Sequence, residues 1–195
     1  MNGVGFDSLA LAQPAWSAQD RPGPIGVIGV SVEDMTNWDE FAAEAPTIAE
    51  VFTRRHKATG ALCFLGTTRA DGSPRISPME PQFFEGDLLI GGMPHTRKFD
   101  DLKRDPRICL HTATIDTQVS DGDAKIFGRV SHDPDTERHQ RYAEDLYART
   151  GFDLRGQRFG DFLVVDLTGA SSVAVAEQLE ITIWRPGEGE RVVRR

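Results

Sequence analysis

The chain has 195 residues, of which 39% are hydrophobic and 27% are charged, as in an ordinary soluble globular protein with one core. Its formal net charge of −8 argues against a broad surface for nucleic acid or for an anionic membrane, because both require an excess of Lys and Arg. No apolar run approaches the roughly 18 residues that span a membrane, and no signal peptide is recognisable. We therefore expect a cytoplasmic protein with no nucleic-acid or membrane partner.

The first 34 residues differ in composition from the rest of the chain. They contain three prolines and five glycines without sustained hydrophobic periodicity, which predicts a poorly ordered N-terminal arm over residues 1–34. Within the arm, residues 25–32 could add an edge strand. The folded domain is expected to comprise residues 35–195, and translation starts at either Met1 or Met35.

Two helices are predicted at the start of the folded domain. Five apolar residues share one helical stripe: Trp38, Phe41, Ala45, Ile48 and Phe52. A proline inside a helix removes a hydrogen bond, so Pro46 should separate a short helical turn from a longer helix that runs to about His56.

Seven strand-like segments follow, at residues 61–69, 75–84, 87–92, 107–114, 124–131, 161–167 and 172–184, the last with a break near 178–180. Tight turns are predicted at residues 70–73 and 84–87, each with Asp and Gly adjacent. A helix is expected between the third and fourth strands, and another over about 134–150, with Gly151 just after its end. This pattern predicts a mainly β fold, an antiparallel six- to seven-stranded β-barrel with a few helices.

The helix after the third strand opens with Thr96, Arg97 and Lys98. Two cations stand there in the first turn, where the helix dipole and the free backbone N–H groups favour an anion. Arg75 begins the second strand and is expected at the same end of the sheet. A bound phosphate would explain these cations. A pair of surface cations that costs only ~0.3–1 kcal/mol would explain them equally well.

Two further features could contact a flat ligand. Gly91 and Gly92, at a strand end, would let a ring approach the backbone, or they would only relieve crowding at a bend. In the second strand, Pro78 cannot donate to a ladder, so this strand lies at an edge or is irregular. Its free backbone groups could bind a heterocycle, or they could mark a bulge without a ligand.

No motif for catalysis or metal binding is recognisable, so the catalytic residues stay unassigned and no metal is expected. Cys63 and Cys109 lie in apolar runs and are expected to be buried thiols. The neighbouring Asp100 and Asp101 are expected to pair with Arg104 on the helix surface.

Three segments together resemble the pyridoxamine 5′-phosphate oxidase-like family of FMN-binding split β-barrels. They are residues 66–78 (GTTRADGSPRISP), 85–87 (EGD) and 94–107 (PHTRKFDDLKRDPR). The resemblance extends over about 38–187. It implies a homodimer whose flavin lies at the subunit interface and is held by both chains.

The resemblance also implies roles for individual residues. The terminal phosphate of the cofactor would be bound by Arg75, Thr96, Arg97 and Lys98. The flavin ring and ribityl chain would lie along Ile76, Ser77 and Pro78, with Gly91 and Gly92 opposite. Trp184 would approach the flavin from the partner subunit. The chain has Glu80 where the oxidase that names the family has Lys, which argues against oxidation of pyridoxine phosphate itself.

The leading hypothesis is therefore an FMN-dependent oxidoreductase that transfers hydride to or from a small-molecule substrate of unknown identity. One alternative is a reductase that uses the deazaflavin coenzyme F-420 on the same barrel, although the net charge of −8 disfavours binding of its polyglutamate tail. Another is a protein that binds a flavin or a tetrapyrrole without turnover.

Overall fold

The computed structural model describes residues 35–93, 95–114, 118–119, 121–175 and 177–195. The predicted arm over residues 1–34, with its possible edge strand at 25–32, lies outside the described residues. The choice between Met1 and Met35 as the start likewise stays a prediction.

Two consecutive helices, α1 (Trp38–Glu44) and α2 (Pro46–Ala58), lead into the sheet. The side chain of Asn37 accepts a hydrogen bond from the Glu40 N–H, and the Glu40 side chain accepts one from the Asn37 N–H, which forms a capping box. Pro46 occupies the first position of α2, where its missing N–H costs no helical hydrogen bond. The predicted break is confirmed, and the predicted apolar stripe is buried.

One nine-stranded sheet dominates the rest of the described chain. Its strands are β1 (Cys63–Thr68), β2 (Pro74–Met79), β3 (Gln82–Phe84), β4 (Asp87–Gly91), β5 (Arg107–Thr112), β6 (Asp123–His132), β7 (Phe162–Val175), β8 (Leu179–Arg185) and β9 (Gly189–Arg194). The strand order is β2-β1-β5-β6-β7-β4-β3, with β8 paired to β7 and β9 paired to β8. All pairs are antiparallel, which confirms the mainly β class.

The sheet is not closed. The two ends of its order, β2 and β3, follow one another in the chain and are linked only by Glu80 and Pro81, so the sheet must curl until its ends meet. Within the described residues no ladder joins β2 to β3. The predicted barrel is therefore split along this seam, where Pro81 has no N–H to donate.

The strand count also differs from the predicted six to seven. The segment 75–84 is two strands, because the chain turns at Glu80 and Pro81. The expected gap between residues 167 and 172 is absent, since β7 continues through it. Its partner β6 accommodates the long strand with a bulge at Phe127/Gly128. The last strand, β9, was not predicted, because its charged edge sequence lacks alternation.

Two further helices lie outside the sheet, α3 (Arg97–Arg104) and α4 (Thr136–Thr150). The cap of α4 is Asp135, and Gly151 ends the helix in the left-handed conformation, as predicted. No helix of the described chain is long and apolar enough to cross a membrane.

The two faces of the sheet differ in character. The inner face packs against α1 and α2, and its core includes Phe41, Phe52, Leu65, Ile126 and Trp184. The outer face carries exposed apolar side chains, among them Phe64, Ile76 and Phe127. The register aligns Ile76, Gly66, Cys109 and Phe127 in one row across four strands, so these residues share the outer face.

Candidate functional site

The candidate site is built around the N-terminus of α3. Thr96 is the N-cap residue, and its carbonyl accepts hydrogen bonds from the N–H groups of Phe99 and Asp100. The N–H groups of Arg97 and Lys98 precede the first helical hydrogen bond and have no carbonyl acceptor within the helix. Within the described residues the helix therefore presents two backbone donors without an acceptor, beside two cationic side chains, as the sequence predicted.

The hydroxyl of Thr96 is buried, yet it has no hydrogen-bond partner among the described residues. It also makes no capping hydrogen bond to its own helix. A buried hydroxyl without a partner is costly, because it has given up its hydrogen bonds to water. A ligand atom that accepts a hydrogen bond would remove that cost.

The two cations at the start of α3 are largely available to a ligand. The side chain of Arg97 is 83% exposed and reaches Asp100 only at 4.0 Å. The ammonium of Lys98 lies 5.6 Å from the centroid of the Phe99 ring and has no acidic partner among the described residues. Neither charge is neutralised by a close carboxylate.

Arg75, by contrast, is held by a carboxylate. Its Nε donates to Asp101 Oδ2 at 2.6 Å, and the same carboxylate accepts from Thr67 at 3.0 Å and from Arg104 at 3.2 Å. The hydrogen bond from Arg75, supported by those from Arg104 and Thr67, lowers the pKa of Asp101 below its usual value. Of the two predicted partners of Arg104, Asp101 pairs with it, whereas Asp100 lies 4.0 Å from Arg97 instead. Asp101 is also buried rather than on the helix surface.

The strand β2 presents its residues to two different sides. Arg75 and Ser77 are half-buried on the side of α3, whereas Ile76 and Pro78 are exposed on the outer face. Within the described residues β2 pairs with β1 alone, so it is an edge strand, as Pro78 suggested. One row of its backbone groups is consequently free of ladder hydrogen bonds.

The two glycines at the end of β4 lie against different neighbours. Gly91 pairs with Phe162, and a methyl group on it would meet only the carbonyl oxygen of Asp161, at 3.7 Å. A methyl group on Gly92 would lie 3.3 Å from the Phe99 ring. Gly92 thus lets α3 pack closely against the end of β4. This packing explains the glycine without any flat ligand.

Trp184 does not fit its predicted role. The indole is 1% exposed, packs on Phe41 with 4.9 Å between ring centroids, and donates to Glu44 Oε2 at 3.0 Å. The side chain therefore belongs to the core between α1 and β8. Its burial argues against contact with a cofactor bound by a partner.

Sequence reasoning missed two acidic residues that position α3. Asp101 ties the helix to β1 and β2. Asp161, just before β7, forms an ion pair with Lys103 at 2.8 Å. The hydrogen bond to Asp161 raises the pKa of Lys103. Only the three-residue spacing of Asp101 and Arg104 was visible in the sequence.

A family comparison identifies the chain. The family model for pyridoxamine 5′-phosphate oxidase matches residues 54–173, which is more than half of the sequence. The protein therefore belongs to this family. A search of curated proteins finds no significant match.

Solved structures agree on the fold. A pyridoxamine 5′-phosphate oxidase-related, FMN-binding protein from Nostoc punctiforme is 12% identical, with a TM-score of 0.54 over 77% of this chain and 95% of that one. A heme-binding protein from Mycobacterium smegmatis is 16% identical, with a TM-score of 0.50 over 68% of this chain and 57% of that one. At such identities these similarities show the fold alone.

Proposed function

We propose that the protein is a homodimeric, FMN-dependent oxidoreductase that transfers hydride to or from a small substrate. The observation that carries this proposal is the buried, unpartnered hydroxyl of Thr96 at the cationic start of α3. Family membership supports the class of cofactor, since one structural neighbour is described as FMN-binding.

The residues present suit the terminal phosphate of FMN. Phosphate oxygens accept hydrogen bonds, and Thr96 and the first N–H groups of α3 can donate them. Arg97 and Lys98 supply positive charge that no close carboxylate cancels. Arg75 adds a donor that Asp101 keeps oriented, although its charge is already compensated by that carboxylate.

When bound, the flavin supplies the hydride chemistry, and the protein supplies grip and orientation. The free edge of β2 at Ile76, Ser77 and Pro78 offers backbone donors and acceptors to the polar rim of a heterocycle. The glycines Gly91 and Gly92 stay in the proposed site, at its α3 side. Trp184 does not belong to it.

A homodimer is part of the proposal. Ile76 is 73% exposed on the outer face, in a row with the exposed Phe127. A contiguous apolar patch of this kind is typical of an interaction surface. A second copy of the chain would bury the patch beside the cofactor edge.

One observation favours the deazaflavin coenzyme F-420 as a second candidate. Because Asp101 neutralises Arg75, part of the positive charge expected from the sequence is cancelled. The phosphodiester of the deazaflavin carries one negative charge, whereas the phosphate of FMN carries about two at neutral pH. The tetrapyrrole alternative is tested by the same experiment.

The experiment is to extract the ligand of the purified protein and to identify it by absorbance, fluorescence and mass. We expect FMN. A Soret band would instead indicate a tetrapyrrole, and a deazaflavin mass would indicate the second candidate. Reduction by NAD(P)H and reoxidation by an acceptor would distinguish an enzyme from a binding protein.

The proposed phosphate-binding role of Arg97 and Lys98 is tested by the double variant Arg97→Ala with Lys98→Ala. Losing two charge-assisted hydrogen bonds, each worth about 1.5 kcal/mol or more, should weaken FMN binding roughly 100-fold. The matched control is Lys57→Ala with Arg185→Ala, which removes two exposed cations elsewhere. Full cofactor occupancy in the Arg97→Ala, Lys98→Ala variant would show that these two residues do not bind the phosphate.

A further inference from the structure

A cleft of about 680 Å³ lies between the first two turns of α4 and the segment 156–159, which leads from α4 towards β7. We call it the α4 cleft. Its principal lining residues are His132, Pro134, Glu137, His139, Arg158 and Phe159. The volume lies within the range of about 300–1,000 Å³ that small-molecule sites occupy.

The α4 cleft is separate from the two surfaces assigned above. Its lining includes no described residue that we assign to the cofactor, and none of the outer-face row that the proposed dimer would bury. In β6, His132 follows two positions after Val130, which belongs to the core. Strand alternation therefore places His132 on the core side of the sheet rather than on the outer face.

One side chain fixes the loop wall of the cleft to α4. The Nε2 of Gln140 donates to the Gln157 carbonyl at 3.1 Å, and its Oε1 accepts from the Gly156 N–H at 2.8 Å. These two hydrogen bonds hold the segment against the helix in the absence of a ligand. The cleft is therefore formed in advance, and a ligand that enters it has little loop ordering to cause.

Three aromatic rings line the cleft. His139 is buried, and its Nε2 donates to the Asp133 carbonyl at 2.9 Å, which fixes the plane of the ring. The centroid of this ring lies 5.6 Å from that of Phe159 and 6.3 Å from that of His132, with interplanar angles of 72° and 84°. Rings arranged edge to face in this way offer both edges and faces to a flat aromatic ligand.

The polar groups of the lining indicate the charge of a ligand that fits. The imidazole of His132 and the hydroxyl of Thr136 make no hydrogen bond within the described chain, and each can both donate and accept. Glu137 and Arg158 are exposed and form no ion pair with any described residue. One carboxylate and one guanidinium give the lining no excess of either charge, which favours a neutral ligand over an ion.

We propose that the α4 cleft binds a small, neutral, flat heteroaromatic molecule whose edge both donates and accepts hydrogen bonds. The ring lies against His139 and Phe159, and the polar edge meets His132 and Thr136. This site is additional to the proposed cofactor site, and neither proposal depends on the other.

The test uses the full-length protein and three probes that differ chiefly in the charge of the polar edge. They are 2-naphthamide, which is neutral, 2-naphthoate, an anion, and 2-naphthylmethylammonium, a cation. Dissociation constants are measured from the fluorescence of the naphthalene ring. The amide should bind at least about threefold more tightly than either ion, and weaker or equal binding of the amide would overturn the proposal.

Two charge variants locate the bound probe. Arg158→Gln removes the positive charge and leaves that of Glu137, so it should shift the preference between the two ions about threefold towards the cation. Glu137→Gln should shift it towards the anion by a similar factor. The matched control Glu144→Gln, an exposed residue of α4 outside the lining, should shift neither. An unshifted preference in both charge variants would show that the probes bind elsewhere and would overturn the proposal.

Two ring variants test the contacts themselves. His132→Phe keeps a ring but removes the hydrogen-bonding nitrogens, so it should weaken binding of 2-naphthamide about two- to tenfold. Phe159→Leu should weaken all three probes at least about twofold. If circular dichroism shows that Phe159→Leu is unfolded, the exposed His132 decides, and unchanged binding of the amide by His132→Phe would overturn the proposal.

Competition with FMN distinguishes the α4 cleft from the cofactor site. Displacement of 2-naphthamide by FMN would overturn the proposal, because the cleft would then hold the flavin. Retention of the probe by the Arg97→Ala, Lys98→Ala variant after it has lost FMN would support two separate sites. If FMN fails to bind the wild type, the proposed function is overturned, while binding of 2-naphthamide with the stated variant effects would still support the α4 cleft.

Discussion

At the scale of single residues, Asp101 organises the candidate site. It is 3% exposed and accepts hydrogen bonds from two arginines and a threonine on three different elements. A buried carboxylate is stable only with such compensation. Asp101 thereby fixes the direction of Arg75 and docks α3 onto the edge of the sheet.

The ionisation of Asp101 predicts a specific dependence of stability on pH. Its folded-state pKa is lowered, chiefly by the hydrogen bond from Arg75, so its contribution is complete above the unfolded pKa of about 3.9. The contribution is lost as the pH falls through the folded pKa. Asp101→Asn should lower the free energy of unfolding by about 1–3 kcal/mol at neutral pH, and this difference should shrink below about pH 4.

Urea unfolding of both proteins across this pH range measures the difference. Asp100→Asn is the matched control. The Asp100 side chain is 54% exposed and its ion pair with Arg97 is long, at 4.0 Å, so the free energy of unfolding should change little. A difference between wild type and Asp101→Asn that stays constant into acid would refute the role assigned to the ionised carboxylate.

At the scale of elements, the bulge in β6 fixes the course of β7. Gly128 lies at the register shift, and a methyl group on it would overlap the carbonyl oxygen of Asp166 and lie 3.0 Å from Val165 Cγ1. At this point β6 is held on both sides, since Gly128 pairs with Ile108 of β5 and with Leu167 of β7. Gly128 is therefore required by packing between strands.

Gly128→Ala should destabilise the protein by about 1–3 kcal/mol or more, because the added methyl group forces the two strands apart. Gly160→Ala is the control, since a methyl group there meets no atom within 4 Å. Thermal unfolding followed by circular dichroism compares the two. Equal melting temperatures would mean that the strands relax around the methyl group at no cost.

Elements that depend on neighbouring residues were predictable from the sequence, and those that depend on distant contacts were not. Pro46 and the apolar stripe determine where α1 and α2 begin and end, and Gly86, with φ of +81°, closes the predicted hairpin turn. The course of β7 depends on a bulge in its partner strand. Likewise, the burial of Trp184 was not readable from the sequence, because it depends on contacts between the β8–β9 hairpin and Glu44 of α1.

The same distinction applies to the site. The order Thr96, Arg97, Lys98 was readable as a cationic helix start, and the structure bears out that placement. The partner of Arg75 was not readable, because Asp101 lies 26 positions away and reaches it only through tertiary packing. The sequence therefore indicates candidate anion-binding residues without the charges that offset them.

At the scale of the whole molecule, the exposed apolar row on the outer face predicts self-association. Ile76→Glu should convert the proposed dimer into a monomer, because it places a charge in a surface that association would bury. Val192→Glu is the control, since Val192 is also exposed, at 44%, but lies on the far edge strand β9. Analytical ultracentrifugation distinguishes the outcomes, and a monomeric wild type would refute the dimer.

The seam between β2 and β3 bears on how this scaffold can diverge. No hydrogen-bond ladder joins β2 to β3 within the described residues, so the distance between these strands can change through side-chain substitutions alone. In a fully closed barrel the same adjustment would shift a strand in register and turn its side chains to the opposite face. The seam is thus a place where point substitutions can change the spacing between β2 and β3 while the strand pairing stays unaltered.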